Sequence, residues 1–157
     1  MTDLRVGLGV DAHAFADGVR LILGGVEFEH PVGLAGHSDG DVIAHALIDA
    51  ILGAAGLGDI GTLFPSDEST PAGIDSLELL RDAAARVREA GYAVVNADCV
   101  LIGQEPRIAG RRGEIEGKLS EIVAAPVSVC ATTTDRLGFT GRGEGLAAQA
   151  VALLRRA

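Results

Sequence analysis

Three groups of residues in this chain are of types that do chemistry. The first is Asp11-Ala12-His13. On a strand, residues i and i+2 point to the same face, so a carboxylate and an imidazole are presented together. Three protein ligands with one open position is the arrangement of a catalytic zinc site. The third ligand must come from elsewhere, and His45, on the polar side of a helical stretch, is the best candidate. Taken alone, Asp-x-His more often describes a surface carboxylate beside a partly buried histidine.

The second group is Gly36-His37-Ser38-Asp39-Gly40-Asp41, directly before the helix that carries His45. A helix N-terminus offers free backbone N–H groups and a positive dipole end, which together hold anions. Plain N-capping by Ser38 or Asp39 is the commoner outcome of such a sequence. Asp41 stands four residues before His45 and is placed to orient it as a supporting partner. The third group spans residues 131–145, with Thr132, Thr133, Thr134, Asp135 and Arg142 among glycines. The threonines supply hydroxyls, Asp135 a hard oxygen ligand suited to Mg²⁺ between phosphates, and Arg142 a guanidinium for a phosphate. A strand end with a Gly-rich turn explains the same residues without a ligand.

The elements that must position these residues follow from periodicity. Residues 4–10 alternate as a strand, and 20–28 read as a second, with Gly24-Gly25 allowing a bulge or tight bend. Val42, Ala46, Ile48 and Ile51 recur at helical spacing over residues 38–52. A second helix starts at Asp75 as N-cap, with Glu78 completing a capping box, and stops at Gly91. Residues 92–103 are a strand, 113–123 a weaker helix, 127–134 a strand and 146–156 a closing helix. One mixed sheet of about four strands with helices on one face is expected, an α+β layout of ferredoxin-like type. The other face of such a sheet needs covering, which an oligomer would provide.

Composition narrows the partners. The 157 residues suit one domain, 1–157, with no linker or repeat dividing it. Aromatics make up 3% of the chain, too few for the stacking platforms that bind single-stranded nucleic acid. A net charge of −9 repels nucleic acid and anionic membranes, so a phosphate ligand must be held by local devices. The N-terminus lacks the basic and apolar regions of a secretory signal, and no apolar run is long enough for a bilayer, so a cytoplasmic location is expected. Cys99 and Cys130 are expected to be two buried free thiols.

Taken together, Asp11-Ala12-His13, residues 35–41 with His45, the Gly-rich stretch 53–65 and residues 131–145 resemble the family of 2-C-methyl-D-erythritol 2,4-cyclodiphosphate synthases of the non-mevalonate isoprenoid pathway. The resemblance runs from about Arg5 to Leu154. It implies the conversion of 4-diphosphocytidyl-2-C-methyl-D-erythritol 2-phosphate to the cyclic diphosphate and CMP. It also implies one Zn²⁺ per subunit on Asp11, His13 and His45, and Mg²⁺ or Mn²⁺ on Asp135. His37 and Thr133 would stabilise the transition state. His37 and Ser38 would contact the phosphorylated erythritol end, and Ala12, between the zinc ligands Asp11 and His13, would also bind substrate. Asp59, Ile60 and Gly61, then Phe64, Pro65, Ser66, Asp67 and Glu68, would line the erythritol side. Gly103, Gln104, Glu105, Pro106, Arg107, Ile108 and Ala109, with Ala131, Thr132, Thr133 and Thr134, would form the cytidine pocket. The family resemblance further implies a homotrimer with active sites shared between subunits. Phe139 and Arg142 would lie near its three-fold cavity, where relatives hold isoprenoid diphosphates. The chain departs from the family pattern in having Asp135 where Glu is common and Arg107 where Lys is usual. Rival readings are a different metal-dependent phosphotransferase or phosphohydrolase, and a trimeric isoprenoid-diphosphate sensor without turnover.

Overall fold

Four long strands carry the molecule, and the placement of one helix on them decides where the chemistry sits. The computed structural model describes residues 3–157; Met1 and Thr2, the start of the N-terminal stretch considered above, lie outside the described residues. The strands are β1 (Leu4–Ala16), β5 (Tyr92–Ile102), β6 (Val127–Thr132) and β7 (Gly145–Arg156). A two-residue strand, β4 (Gly33–Leu34), pairs with the end of β1, so the sheet has five strands in the order β4-β1-β7-β5-β6. β5 and β6 run parallel, and the other pairs are antiparallel. The helices are α1 (Val42–Ala55), α2 (Ile60–Leu63), α3 (Ser76–Glu89), α4 (Arg112–Val123) and α5 (Gly138–Gly141).

The α+β class with a mixed sheet is as expected, and four details are corrected. The sheet has a fifth, short strand. The long elements run strand, helix, helix, strand, helix, strand, strand, which is not the order of a ferredoxin-like unit. Residues 145–156 form β7, not a closing helix. Their alanines favour a helix intrinsically, but Leu146, Ala148, Ala150, Ala152 and Leu154 are buried at every second position. That period belongs to a strand with one face covered, and packing between β1 and β5 overrides propensity. The expected second strand is likewise two: β2 (Leu21–Leu23) and β3 (Val26–Phe28) form a hairpin, because Gly24 and Gly25 both adopt positive φ, as its two-residue turn demands.

Helix α1 lies directly on the backbone of β1. A Cβ on Gly9 would stand 1.8 Å from the Ala46 carbonyl oxygen, and one on Gly7 1.9 Å from that of Ala50. Only glycine permits this approach, and it brings His45 down onto the end of β1 where Asp11 and His13 project. The core around α1 is aliphatic, as the scarcity of aromatics requires.

Asp41 fixes the start of this helix. Its carboxylate is fully buried and accepts hydrogen bonds from the N–H groups of Gly24 (2.8 Å), Gly25 (2.7 Å) and Ala44 (3.1 Å). It therefore caps α1 and ties the β2–β3 turn to it. Burial and the charge of Asp39 push its carboxyl up to about 6, against the pull of the three N–H donors. The expected role as a partner of His45 is thus corrected: both oxygens are committed to backbone. Asn in its place would keep the shape but turn an N–H donor toward a backbone N–H. We expect Asp41→Asn to cost about 2–3 kcal/mol, read as a lower urea midpoint at neutral pH. A loss below about 0.5 kcal/mol would show that the turn and cap do not depend on this carboxylate.

Candidate metal centre and adjoining pockets

Asp11 and His13 leave β1 on the same side as Gly7 and Gly9, toward α1, as alternation dictates. His45 sits on the first turn of α1. Asp11 Oδ2 lies 2.8 Å from His13 Nε2 and 3.1 Å from His45 Nδ1, and the two nitrogens are 3.2 Å apart. These three atoms form the cluster among the described residues that could hold a metal ion. A tetrahedral ion with bonds of about 2.0–2.1 Å needs ligand atoms roughly 3.3 Å apart, so a small movement seats it. The donor set of one carboxylate and two imidazoles suits Zn²⁺ and leaves a position open.

Burial opposes ionisation of Asp11, but the His13 and His45 rings in contact with it hold its carboxyl down at about 2. The hydrogen bond to Asp11 raises the basicity of His13, against partial burial. His45 is anchored on its far side: Nε2 lies 2.9 Å from Ser76 Oγ and 3.0 Å from Ser38 Oγ. Sequence reasoning missed Ser76, whose only signal was its place after the cap residue Asp75.

A cleft of about 170 Å³ opens over the three ligands and is lined also by His37, Ser38, Ile60, Gly61, Phe64, Ser66, Thr70 and Leu79. The His37 ring is held at 2.6 Å by Nε2–H donation to the Thr70 carbonyl, while Gly73 N–H donates to the His37 carbonyl at 2.7 Å. Asp59 caps the short α2, accepting from the Thr62 N–H and hydroxyl at 2.8 Å each. Ile60 N–H is held by Asp49 at 2.8 Å. Of the residues expected on this side, Ala12, Asp59, Pro65, Asp67 and Glu68 do not line the cleft. Asp67 instead closes its own loop by accepting from Ser69. Ala12 points to the opposite sheet face from Asp11, because neighbours on a strand alternate.

A second pocket, of about 380 Å³, is walled by Gly103, Gln104, Pro106, Arg107, Ile108, Ala109, Ala131, Thr132 and Thr133, together with Arg112, which was not foreseen. Glu105 faces a neighbouring hollow with Phe15 and His30. The Thr134 hydroxyl is occupied within the chain, 2.8 Å from that of Thr140 and donating to the Leu137 carbonyl at 2.7 Å. Asp135 is exposed beside this pocket rather than in its wall, and it and Arg136 have left-handed φ of 52° and 65°. Arg142 is exposed and paired with Glu144 at 2.6 Å, so a phosphate would have to displace that carboxylate. Phe139 is exposed nearby. Both cysteines are free; Cys99 is buried, but Cys130 is exposed, contrary to expectation, because it alternates onto the open face of β6.

The two pockets do not meet within the chain. Asp11 pairs with Ala148, Ala148 with Leu101 and Leu101 with Ala131, one row across the sheet. Three strand spacings, about 14 Å, separate Asp11 from Ala131 of the second pocket. No helix of the described residues is long and apolar enough to cross a membrane.

Comparison with known proteins gives a consistent set of relatives. Residues 4–155 match the model of the YgbB family. The chain is 54% identical over 157 residues to a 2-C-methyl-D-erythritol 2,4-cyclodiphosphate synthase of Alkalilimnicola ehrlichii, covering 98% of this chain and 96% of that one. Among solved structures, the bifunctional IspDF of Campylobacter jejuni superposes with a TM-score of 0.95 at 39% identity, covering all of this chain and 43% of that one. A CDP complex of IspF from Plasmodium falciparum superposes with a TM-score of 0.85 at 33% identity, covering 99% and 98%.

Proposed function

This chain belongs to the YgbB family, and from that premise we propose how its residues divide the work of the reaction. The reaction converts 4-diphosphocytidyl-2-C-methyl-D-erythritol 2-phosphate to 2-C-methyl-D-erythritol 2,4-cyclodiphosphate and CMP, a phosphorus–oxygen lyase step of the non-mevalonate isoprenoid pathway. The observation that carries our assignment is the meeting of Asp11, His13 and His45 at the floor of one cleft.

The nucleophile is the substrate's own 2-phosphate, which is ionised at neutral pH. No general base is required, in keeping with a cleft that offers ligands, a hydroxyl and an imidazole rather than a nucleophile with its base. Because attack on the β-phosphate is intramolecular, bending the substrate into position removes much of the barrier. We assign that bending to His37, Ser38, Ile60, Gly61, Phe64 and Ser66, which wall the cleft. With Nε2–H engaged by Thr70, the His37 ring keeps Nδ1 for the substrate. Asp11, His13 and His45 would hold a zinc ion, one per subunit, and Asp135 a Mg²⁺ or Mn²⁺; bound there, these ions would supply positive charge that offsets repulsion between the phosphates and stabilises the CMP leaving group. Gly103, Gln104, Pro106, Arg107, Ile108 and Ala109, with Ala131, Thr132 and Thr133, hold the cytidine, largely through backbone groups. Thr133, next to Asp135, assists at the diphosphate.

The function is tested by following CMP release from the CDP-linked substrate with Zn²⁺ and Mg²⁺ present. Chelation should stop it and readdition of both cations restore it. Undiminished release after complete zinc removal would overturn the metal assignment.

We also propose a cytoplasmic homotrimer whose active sites are shared, the cleft of one subunit meeting the cytidine pocket of the next. Two observations support it: the separation of the two pockets within the chain, and an uncovered sheet face bearing Val6 (71% exposed), Leu8 (64%), Val10 (56%) and Val151 (47%). Apolar patches of this kind mark interfaces. Phe139 and Arg142 would then lie near the three-fold axis, beside a cavity for an isoprenoid diphosphate. Leu8→Asp should yield monomers by light scattering that still bind Zn²⁺ but release no CMP. A fully trimeric, active Leu8→Asp chain would contradict the assembly.

A further inference from the structure

We propose that Ser76 and Asp39 are positioning residues for the metal centre: through one directed chain of hydrogen bonds they fix which nitrogen of His45 carries its proton and leave the other for the cation. This rests on the assignment of a divalent ion to Asp11, His13 and His45. His45 Nε2 lies 2.9 Å from the Ser76 hydroxyl, which is itself in short contact with Asp39 Oδ1. Asp39 Oδ2 also accepts from the Ser76 backbone N–H at 3.0 Å. An ionised carboxylate has no proton to give, so the Ser76 hydroxyl donates to Asp39. Its oxygen is then left only to accept, and the donor it faces is His45 Nε2–H. The lone pair of His45 is thereby placed on Nδ1, the atom 3.1 Å from Asp11 Oδ2 and 3.2 Å from His13 Nε2.

Burial makes the relay directional. Ser76 is fully buried, so water does not compete for its hydroxyl. Ser76 also opens α3, and Asp39 precedes α1, so the relay locks the two helix starts together behind the ligand. Ser38 lies 3.0 Å from the same His45 nitrogen and 3.4 Å from Ser76 Oγ. With Ser76 engaging the imidazole, the Ser38 hydroxyl keeps its proton for substrate. Without Ser76, it is drawn onto His45.

The test is Zn²⁺ affinity, measured by chelator competition on the full-length chain and on Ser76→Ala, Ser76→Thr and Asp39→Asn. Loss of a group that orients a metal-bound histidine costs roughly 10–100-fold in affinity. We expect that loss for Ser76→Ala and Asp39→Asn, and recovery of most of it in Ser76→Thr, which keeps the hydroxyl. In nitrogen-labelled, zinc-loaded protein, the His45 Nε2 proton should exchange slowly in the parent chain and faster in the two weakened variants. A merely structural role would lower the melting temperature and leave both readouts unchanged. Unaltered Zn²⁺ affinity in Ser76→Ala and Asp39→Asn, with zinc bound by the parent, would overturn the relay alone. A parent chain that binds no Zn²⁺ would overturn the metal assignment, and the relay with it. If Ser76→Ala does not fold, Asp39→Asn decides the matter by itself.

Discussion

His45→Ala is expected to lose its Zn²⁺ and nearly all turnover while still unfolding cooperatively. His45 supplies one of three ligand atoms that lie 2.8–3.2 Å apart. Two ligands on one strand, Asp11 and His13, do not make a site closed enough to retain zinc through purification. The loss removes charge stabilisation of several kcal/mol from the reaction, on the order of 4 kcal/mol or roughly a thousandfold in rate. The fold survives because the side chain's other contacts are the Ser38 and Ser76 hydroxyls, already 3.4 Å apart and able to bond to one another. Helix α1 keeps its Asp41 cap and its seat on Gly7 and Gly9. Metal analysis and thermal melting of the variant decide the point. A variant carrying stoichiometric zinc would remove His45 from the ligand set.

The second large effect is expected at Asp135, where Asn should separate binding from turnover. Asp135 and Arg136 both have left-handed φ, a conformation that Asn adopts as readily as Asp, so the loop should not move. The 3.4 Å contact with the Thr133 hydroxyl can also persist. What is lost is the negative charge assigned to the second cation. Asp135 does not wall the pocket of Gly103 and Thr132, so CDP should bind without Mg²⁺ as it does to the parent. Loss of such electrostatic stabilisation typically costs on the order of 3 kcal/mol, about a hundredfold in rate, part of which high Mg²⁺ should restore. Calorimetry with CDP and turnover across a Mg²⁺ series provide the comparison. Parent-like turnover at ordinary Mg²⁺ would show that Asp135 does not carry the cation. Glu144 would then be next to test, although its carboxylate is engaged by Arg142.

The candidate metal centre was legible in the sequence because its first two residues, Asp11 and His13, are two positions apart on a strand, where alternation alone sets their direction. His45 was legible as the one histidine on the helix that follows. The support behind it was not. Ser76 is 31 residues from His45 and 37 from Asp39 in sequence, so only folding brings it to the other two. Asp41 misled because helical spacing from His45 is a local rule, whereas its carboxylate is claimed by Gly24 and Gly25, far away in sequence. In the fold, α3 with its Asp75 cap was read correctly, since capping and periodicity agree there. β7 was misread because alanine's helix preference points one way and the two-residue burial period the other. Neighbouring strands settle that conflict, and a single segment of sequence does not contain them.

The most direct measurement is the phosphorus NMR spectrum of the product made from 4-diphosphocytidyl-2-C-methyl-D-erythritol 2-phosphate by the purified chain with Zn²⁺ and Mg²⁺. Intramolecular attack of the 2-phosphate on the β-phosphate predicts CMP and a cyclic diphosphate in equal amounts, with no inorganic phosphate. Release of inorganic phosphate without the cyclic product would contradict the assignment and make the metal centre that of a phosphohydrolase.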